Sequence, residues 1–244
     1  MAGWPEGYDR IILDEVDSTN EEARRRIGAP NPLWIAAHRQ TAARGRQGRG
    51  WSSPPGNLAA TLLIARDEPP GELAKLSFHA SLAVADLFAH FAPGAEVATK
   101  WPNDALLSGK KAAGILLENF GPGAGRKANL AIGIGVNLAH HPDPAETRWP
   151  PTSLRAVTGV EPDFMAALEV LADRLAHWLA VSDFAVIRRV WLARATHLGK
   201  QIEARLPDRT VSGIFQDVDD DGALVLGTTE GVQRIAAADI HFPE

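Results

Sequence analysis

Lys100-Trp101-Pro102-Asn103-Asp104 is followed, four residues on, by Gly109-Lys110-Lys111-Ala112-Ala113-Gly114-Ile115-Leu116-Leu117-Glu118. The first piece reads as an exposed turn at a strand end and the second as the strand that follows; a hairpin between them returns Lys111 beside Lys100, Asn103 and Asp104. Taken singly these residues are ordinary, since turns favour Asn and Asp and exposed strands favour Lys. Gathered at one strand end, they join cations, an amide and a carboxylate in one cluster.

Working outward, residues 8–16 read as a strand, and Ser18-Thr19-Asn20 opens a helix with Thr19 and Glu22 at capping-box spacing and Gly28 as its stop. Residues 34–40 and 58–65 read as strands on either side of a loop. Leu73, Leu76, Ala80, Val84, Leu87 and Phe91 recur at spacings of three and four, so residues 72–91 form an amphipathic helix that covers a sheet face. Residues 97–100, 112–117 and 129–138 are apolar and of strand length. Phe164, Leu168, Leu171, Leu175 and Leu179 mark another helix, and residues 184–195 one more. From Lys200 the texture changes to strand-sized pieces at 201–206, 210–217, 222–226 and 231–235. The expected fold class is α+β: a mixed β-sheet packed with helices over residues 1–197, then a small β-barrel over residues 198–244.

The loop between the second and third strands holds Arg44-Gly45-Arg46-Gln47-Gly48-Arg49-Gly50-Trp51. Glycine permits close backbone approach, so N–H groups converge on phosphate oxygens while guanidinium forks add bidentate contacts. Trp51 then offers a surface for a flat ring. Alone, the loop leaves open a small-molecule phosphate site, a solvated connector, and a sequence-blind grip on nucleic acid. A net charge of -5 weighs against a long polyanion as the main partner.

The 244 residues, 45% hydrophobic and 23% charged, give an ordinary globular composition with room for a sizeable domain and a smaller one. The lack of cysteine excludes disulfides, thiolate nucleophiles and Cys-ligated metals, and fits a reducing compartment. Residues 1–10 lack the basic-then-apolar order of a secretory signal, and no apolar run approaches the ~20 residues that span a bilayer. A cytoplasmic location without membrane contact is expected.

In order, Ser18-Thr19-Asn20, Gln40, the Arg/Gly/Trp loop, the two lysine segments and Gly133-Ile134-Gly135-Val136-Asn137-Leu138 closely resemble the motif series of the biotin protein ligases, from about residue 8 to the C-terminus. The resemblance implies a class II synthetase-like biotin/lipoate ligase catalytic domain followed by an SH3-like barrel. It implies ATP-dependent attachment of biotin to a specific lysine of a biotin carboxyl carrier protein through biotinyl-5'-AMP, with Mg2+ accompanying ATP. Nothing large precedes Ser18, so the monofunctional class, lacking a helix-turn-helix domain for operator DNA, is expected, with no DNA partner. Monomer and homodimer both stay open.

By that resemblance, Ser18, Thr19, Asn20 and Gln40 contact the biotin rings, whose ureido group suits hydroxyl and amide side chains. Arg44, Gly45 and Arg46 lie against biotin and its activated carboxyl, Arg49 meets phosphate, and Trp51 stacks near adenine. Gly114 and Ile115 form backbone wall beside the bicyclic ring, Asn137 serves the nucleotide side, and Gly135 belongs to the same ligand-binding set. Lys111 is the central lysine, neutralising charge between carboxyl and α-phosphate; Lys100 and Asn103 are ATP-side ligands; Asp104 orients or deprotonates the acceptor lysine. The catalytic set is Lys111, Arg46 and Asp104, with no protein metal site expected. One departure is Ala43, where the family often has glycine.

Other signals are set aside. Asp217-Val218-Asp219-Asp220-Asp221-Gly222 copies half of an EF-hand loop, but Thr228 stands where the bidentate glutamate belongs, and a hairpin turn accounts for it. His140-His141 has no matching ligand at metal spacing, and Gly133-Ile134-Gly135 lacks the third glycine of a dinucleotide fingerprint. The rival readings are a lipoate protein ligase, which wants an apolar acyl tunnel, and a non-enzymatic nucleic-acid-binding module.

Overall fold

Alternation along the strands sorts side chains into two layers, and that sorting places the site. The computed structural model describes residues 3–30, 32–122, 127–147 and 149–242. Strands β1 (Asp9–Val16), β2 (Leu33–Gln40), β3 (Leu58–Arg66), β4 (Val97–Lys100), β5 (Asp104–Leu107), β6 (Lys110–Pro122) and β7 (Ala128–Val136) form one sheet in the order β1-β2-β3-β7-β6-β5-β4. β1 and β2 run parallel across the connecting helix α1 (Thr19–Arg25), and the other neighbours are antiparallel.

Helices α2 (Pro70–Phe91), α4 (Phe164–Leu179) and α5 (Phe184–Ala193) join the main core, while α3 (Leu154–Thr158) is a single capped turn. Trp34 and Ala36 of β2, Leu58, Ala60 and Leu62 of β3, and Leu130, Ile132 and Ile134 of β7 face that core. Each large side chain fully buried there contributes about 1.5–3 kcal/mol. The opposite face carries a smaller cluster around α1, made of Ala23, Leu33, Ile35, Leu63 and Ala131. Beside that cluster this face opens into a cleft.

β8 (Gln201–Arg205), β9 (Thr210–Val218), β10 (Leu224–Thr228), β11 (Gly231–Ile235) and β12 (Asp239–His241) form a second, antiparallel sheet in the order β11-β10-β9-β8-β12. It is joined to the first unit by hydrogen bonds from Trp101 Nε1 to the Gly222 carbonyl at 3.0 Å and from Arg188 to Val218 O and Asp217.

The structure adds α3 to the expected elements, extends β6 beyond residues 112–117 at both ends, and differs in three further places. The N-cap of α1 is Ser18, without a side-chain cap, and Glu22 pairs with Arg25 and Arg26 instead of closing a capping box. Thr19 is diverted because its hydroxyl joins a buried polar chain described below. β5 intervenes between β4 and β6, so Lys111 returns toward Lys100 through two hairpins, not one. β12 is three residues long, too short to leave a period in the sequence.

Candidate active site

Two rows of the ladder make the cleft floor: Ala59, Gly135 and Gly114 stand abreast, and beside them Thr61, Gly133 and Leu116. Three of these six positions are glycine, which strips the floor of side chains. A Cβ on Gly133 would stand 2.3 Å from Oδ1 of Asn20, and one on Gly135 would stand 2.4 Å from Nε1 of Trp51. The glycines therefore let one amide and one indole lie against the sheet.

At the α1 end the floor is neutral and hydrogen-bonding. Gln40 Oε1 accepts from the Thr19 backbone N–H at 2.8 Å and lies 3.1 Å from its hydroxyl. Thr61 Oγ1 lies 2.8 Å from Thr19 Oγ1 and 2.7 Å from Asn20 Oδ1, and Asn20 Nδ2 donates to Glu118 Oε2 at 2.6 Å. Ser18, Thr19, Asn20 and Thr61 are all buried.

At the other end the cleft is cationic. Asp104 is buried between two ammoniums, Lys111 Nζ at 2.5 Å from Oδ1 and Lys100 Nζ at 3.3 Å from Oδ2. Burial alone would raise the Asp104 carboxyl, but the two lysines outweigh it and hold it below its ordinary range. Burial pushes the Lys100 ammonium down, with Asp104 opposing. Two ammoniums on one carboxylate leave an unmatched positive charge facing the cleft.

A β-bulge delivers Lys111. Leu106 pairs with Lys111 and Ala105 with Ala113, so Ala112 is the extra residue, and its carbonyl accepts from the Asn137 N–H at 2.8 Å. The Lys111 backbone is clamped instead by Pro150 O at 2.8 Å and Thr152 N at 2.9 Å. Asn137, buried, donates its side-chain amide to Thr152 O at 2.9 Å, so here it braces the same segment.

The arginine loop closes on itself through Gly45 N–H to Arg49 O at 2.7 Å and an Arg44–Gly50 bridge. Arg46 is pointed at the lysine cluster by Asn103, whose Oδ1 accepts at 3.3 Å while its Nδ2 donates to Ile115 O at 2.5 Å. Burial pulls the Arg46 guanidinium below its ordinary range. Arg44 pairs with Glu21, and Arg49 with Asp239 of β12. Trp51 lies over Gly114 and Gly135, with Lys111 Nζ 5.7 Å from its ring centroid.

All of the residues singled out in the sequence line one cleft of about 780 Å³. Sequence reasoning missed Thr61, Glu118, Trp149 and the β12 wall of Ala238, Asp239, Ile240 and His241. Thr61 had a signal, the single hydroxyl within an apolar strand; the β12 residues had none. Trp149 stands 5.1 Å from Lys100 Nζ across its ring face.

The sequence model of the Biotin/lipoate A/B protein ligase family matches residues 12–137, and that of the Biotin protein ligase C terminal domain matches residues 197–242. The chain is 45% identical over 239 residues to a biotin--[acetyl-CoA-carboxylase] ligase of Paracoccus denitrificans, covering 95% of this chain and 99% of that protein. It is 32% identical over 249 residues to the bifunctional ligase/repressor BirA of Bacillus subtilis, covering 97% of this chain and 74% of that one. Among solved structures, the biotin protein ligase from Aquifex aeolicus in complex with biotin and ATP matches with a TM-score of 0.79 at 27% identity, covering 96% of this chain and 97% of that chain.

Proposed function

The chain belongs to the biotin protein ligases, and we propose that its cleft first joins biotin to AMP and then passes the biotinyl group to one lysine of a biotin carboxyl carrier protein. It is an ATP-dependent ligase that attaches biotin. One observation carries the residue-level reading: a neutral hydrogen-bonding floor and a cationic cluster occupy opposite ends of a single cleft. Biotin has the matching polarity, with an uncharged ureido ring at one end and a carboxylate at the other.

A carboxylate resists an amine until one of its oxygens belongs to a leaving group. In the first step a biotin carboxylate oxygen attacks the α-phosphorus of ATP, the bond to the pyrophosphate oxygen breaks, and pyrophosphate departs. Negative charge gathers on the α-phosphoryl oxygens, where Lys111 and Arg46 supply fixed positive charge in a partly dehydrated site. In the second step the carrier amine attacks the acyl carbon, AMP leaves with the bonding pair, and the amine proton passes to solvent.

A carboxylate depressed by two lysines is a weak base toward an ammonium of ordinary pKa ~10.4. Asp104 therefore serves better by aiming Lys111 and Lys100 than by taking the proton. Arg49 and Trp51 are assigned to the nucleotide, with Trp51 lying as a flat surface beside Lys111.

Magnesium enters as part of MgATP. Both Asp104 oxygens already face ammoniums, and among the described residues no group of three or more His, Asp or Glu is placed to hold a cation. A magnesium ion carried in on ATP would neutralise phosphate charge alongside Lys111 and Arg46. Among the described residues no helix is long and apolar enough to cross a membrane. The cytoplasm is the proposed location, and a sequence without cysteine fits its reducing conditions.

Incubation with biotin and MgATP, with lipoate as the control acid, tests the assignment by mass spectrometry of the adenylate. Biotinyl-AMP is expected and lipoyl-AMP is not. Lys111→Ala should lower biotinyl-AMP formation by about 10²–10³-fold while circular dichroism shows the fold retained, with Tm lowered because Asp104 loses one of its two ammoniums. Adenylate formation near the wild-type rate would remove Lys111 from its role.

A further inference from the structure

Glu118 does not line the cleft, yet it terminates a hydrogen-bond chain that reaches it. We infer that Glu118 is a positioning residue for biotin specificity, orienting the Asn20 amide and through it the Thr61 proton, and thereby keeping Thr19 an acceptor toward the cleft beside the separately fixed Gln40. The inference rests on the biotin reading given above.

The argument is one of proton counting. An ionised carboxylate only accepts, so the Asn20 amide must turn its nitrogen to Glu118 at 2.6 Å, with Leu116 O at 3.4 Å on the same side. Asn20 Oδ1 then faces Thr61 at 2.7 Å and can only accept, which commits the single Thr61 proton to it. Thr61 Oγ1 is left as an acceptor 2.8 Å from Thr19 Oγ1. The Thr19 proton goes to Thr61, or to Gln40 Oε1 at 3.1 Å; either way the protein consumes it. Thr19 therefore meets a ligand as an acceptor.

Gln40 is fixed by a separate, unambiguous donor. The Thr19 backbone N–H takes its Oε1, so its Nε2 faces outward as a donor. An acceptor beside a donor is what a cyclic urea requires, with its N–H directed to one and its C=O to the other. The fold protects this arrangement, because Thr61 is 0% and Asn20 4% exposed and any side chain at Gly133 would displace Asn20.

Without the carboxylate, Asn20 is free to turn its nitrogen toward Thr61. The Thr61 proton would then pass to Thr19, leaving Gln40 Oε1 at 3.1 Å, already shared with the Thr19 backbone N–H, as the one acceptor for the Thr19 proton among the described residues, so that this proton is released more readily into the cleft, against a ureido N–H. A buried donor facing a donor is costly, while the phosphate end of the cleft is untouched.

The test is steady-state kinetics of biotinyl-AMP formation by Glu118→Leu, Glu118→Gln, Thr61→Val and the Glu118→Leu/Thr61→Val double variant. The wild type is run first, since failure there would refute the ligase reading itself and not this inference. Glu118→Leu should raise the biotin KM by ~10-fold or more, with kcat and the ATP KM within about twofold of wild type. Glu118→Gln keeps an acceptor for Asn20 and should restore the biotin KM to within about threefold of wild type. Because Thr61 relays the same signal, the double variant should be no worse than Thr61→Val alone. An unchanged biotin KM in Glu118→Leu would overturn the inference. So would a Glu118→Gln variant as impaired as Glu118→Leu, a parallel rise in the ATP KM, or strictly additive losses in the double variant.

Discussion

Gly133 and Gly135 belong to a Gly-Ile-Gly run that resembles part of a nucleotide motif, yet their structural task is to be absent. Each lies beneath a group that a methyl would displace, Asn20 at 2.3 Å and Trp51 at 2.4 Å from the added Cβ. Gly135→Ala should therefore destabilise by about 1–3 kcal/mol through overpacking. The partner can be identified by repeating the substitution in a Trp51→Ala background, where urea denaturation should show most of that loss gone. Equal losses in both backgrounds would mean that the methyl meets something else. At this scale much of the site was legible. Lys100, Asp104, Lys111 and the loop arginines carry charges whose grouping in sequence survives as grouping in space. Thr61 and Glu118 were not read: the lone hydroxyl of β3 marks Thr61 as unusual, but only the register shows that Asn20 lies between it and Glu118.

Elements convert those residues into geometry. The helices α2 and α4 were readable from apolar spacing because they are long, and β4 was readable with its bounds. β5, four residues long, and the bulge at Ala112 were not, although together they decide where Lys111 stands. β5, no longer than β4, begins on the Asp104 that reads as part of the turn, and a one-residue bulge carries no period of its own. The long helix α2 also holds a buried titratable joint. His79 sits with Nδ1 3.3 Å from Lys75 O and Nε2 3.4 Å from Val181 O, and burial pushes its imidazole below the usual 6.5, with Arg66 adding in the same direction. A histidine depressed in the folded state contributes no penalty above pH 6.5, where both states are neutral. Below 6.5 the unfolded chain takes up the proton first, so stability is lost as pH falls toward the folded value. The slope of unfolding free energy against pH between about 5 and 6.5 should be shallower in His79→Gln than in wild type. His197 and His241 shift in the same direction, but they remain in both proteins and cancel in the comparison. Identical slopes would clear His79 of any part in acid sensitivity.

Across the whole molecule, the second sheet is part of the cleft's wall. Residues 238–241 line it, Trp101 beside the lysine cluster donates to Gly222 O, and Arg49 of the loop reaches Asp239. The arginine loop is thus held by Arg44 on Glu21 and Arg46 on Asn103 of the first unit, and by Arg49 on Asp239 of the second. Sequence reading marked the change of texture near residue 200 but could not foresee this return, since Asp239 lies 190 positions from Arg49. The Arg49 and Asp239 side chains are 43% and 22% exposed, so water and salt screen the pair, and it is worth at most ~1 kcal/mol. That moves Tm by no more than about 2–4 °C, but it bears directly on how often the loop opens. Asp239→Ala should therefore raise the rate of trypsin cleavage after Arg44, Arg46 or Arg49 by up to about fivefold at low salt, with Tm lowered by no more than that. Raising the salt should bring the wild type toward the variant, because screening weakens the same contact. Asp208→Ala, which breaks an exposed ion pair with Arg209 in the same sheet, serves as the control and should leave cleavage in the loop as it was. If Asp239→Ala is cleaved no faster than that control, this pair with the second sheet does not restrain the loop, and the contacts to the first unit, Arg44 on Glu21 and Arg46 on Asn103, hold it.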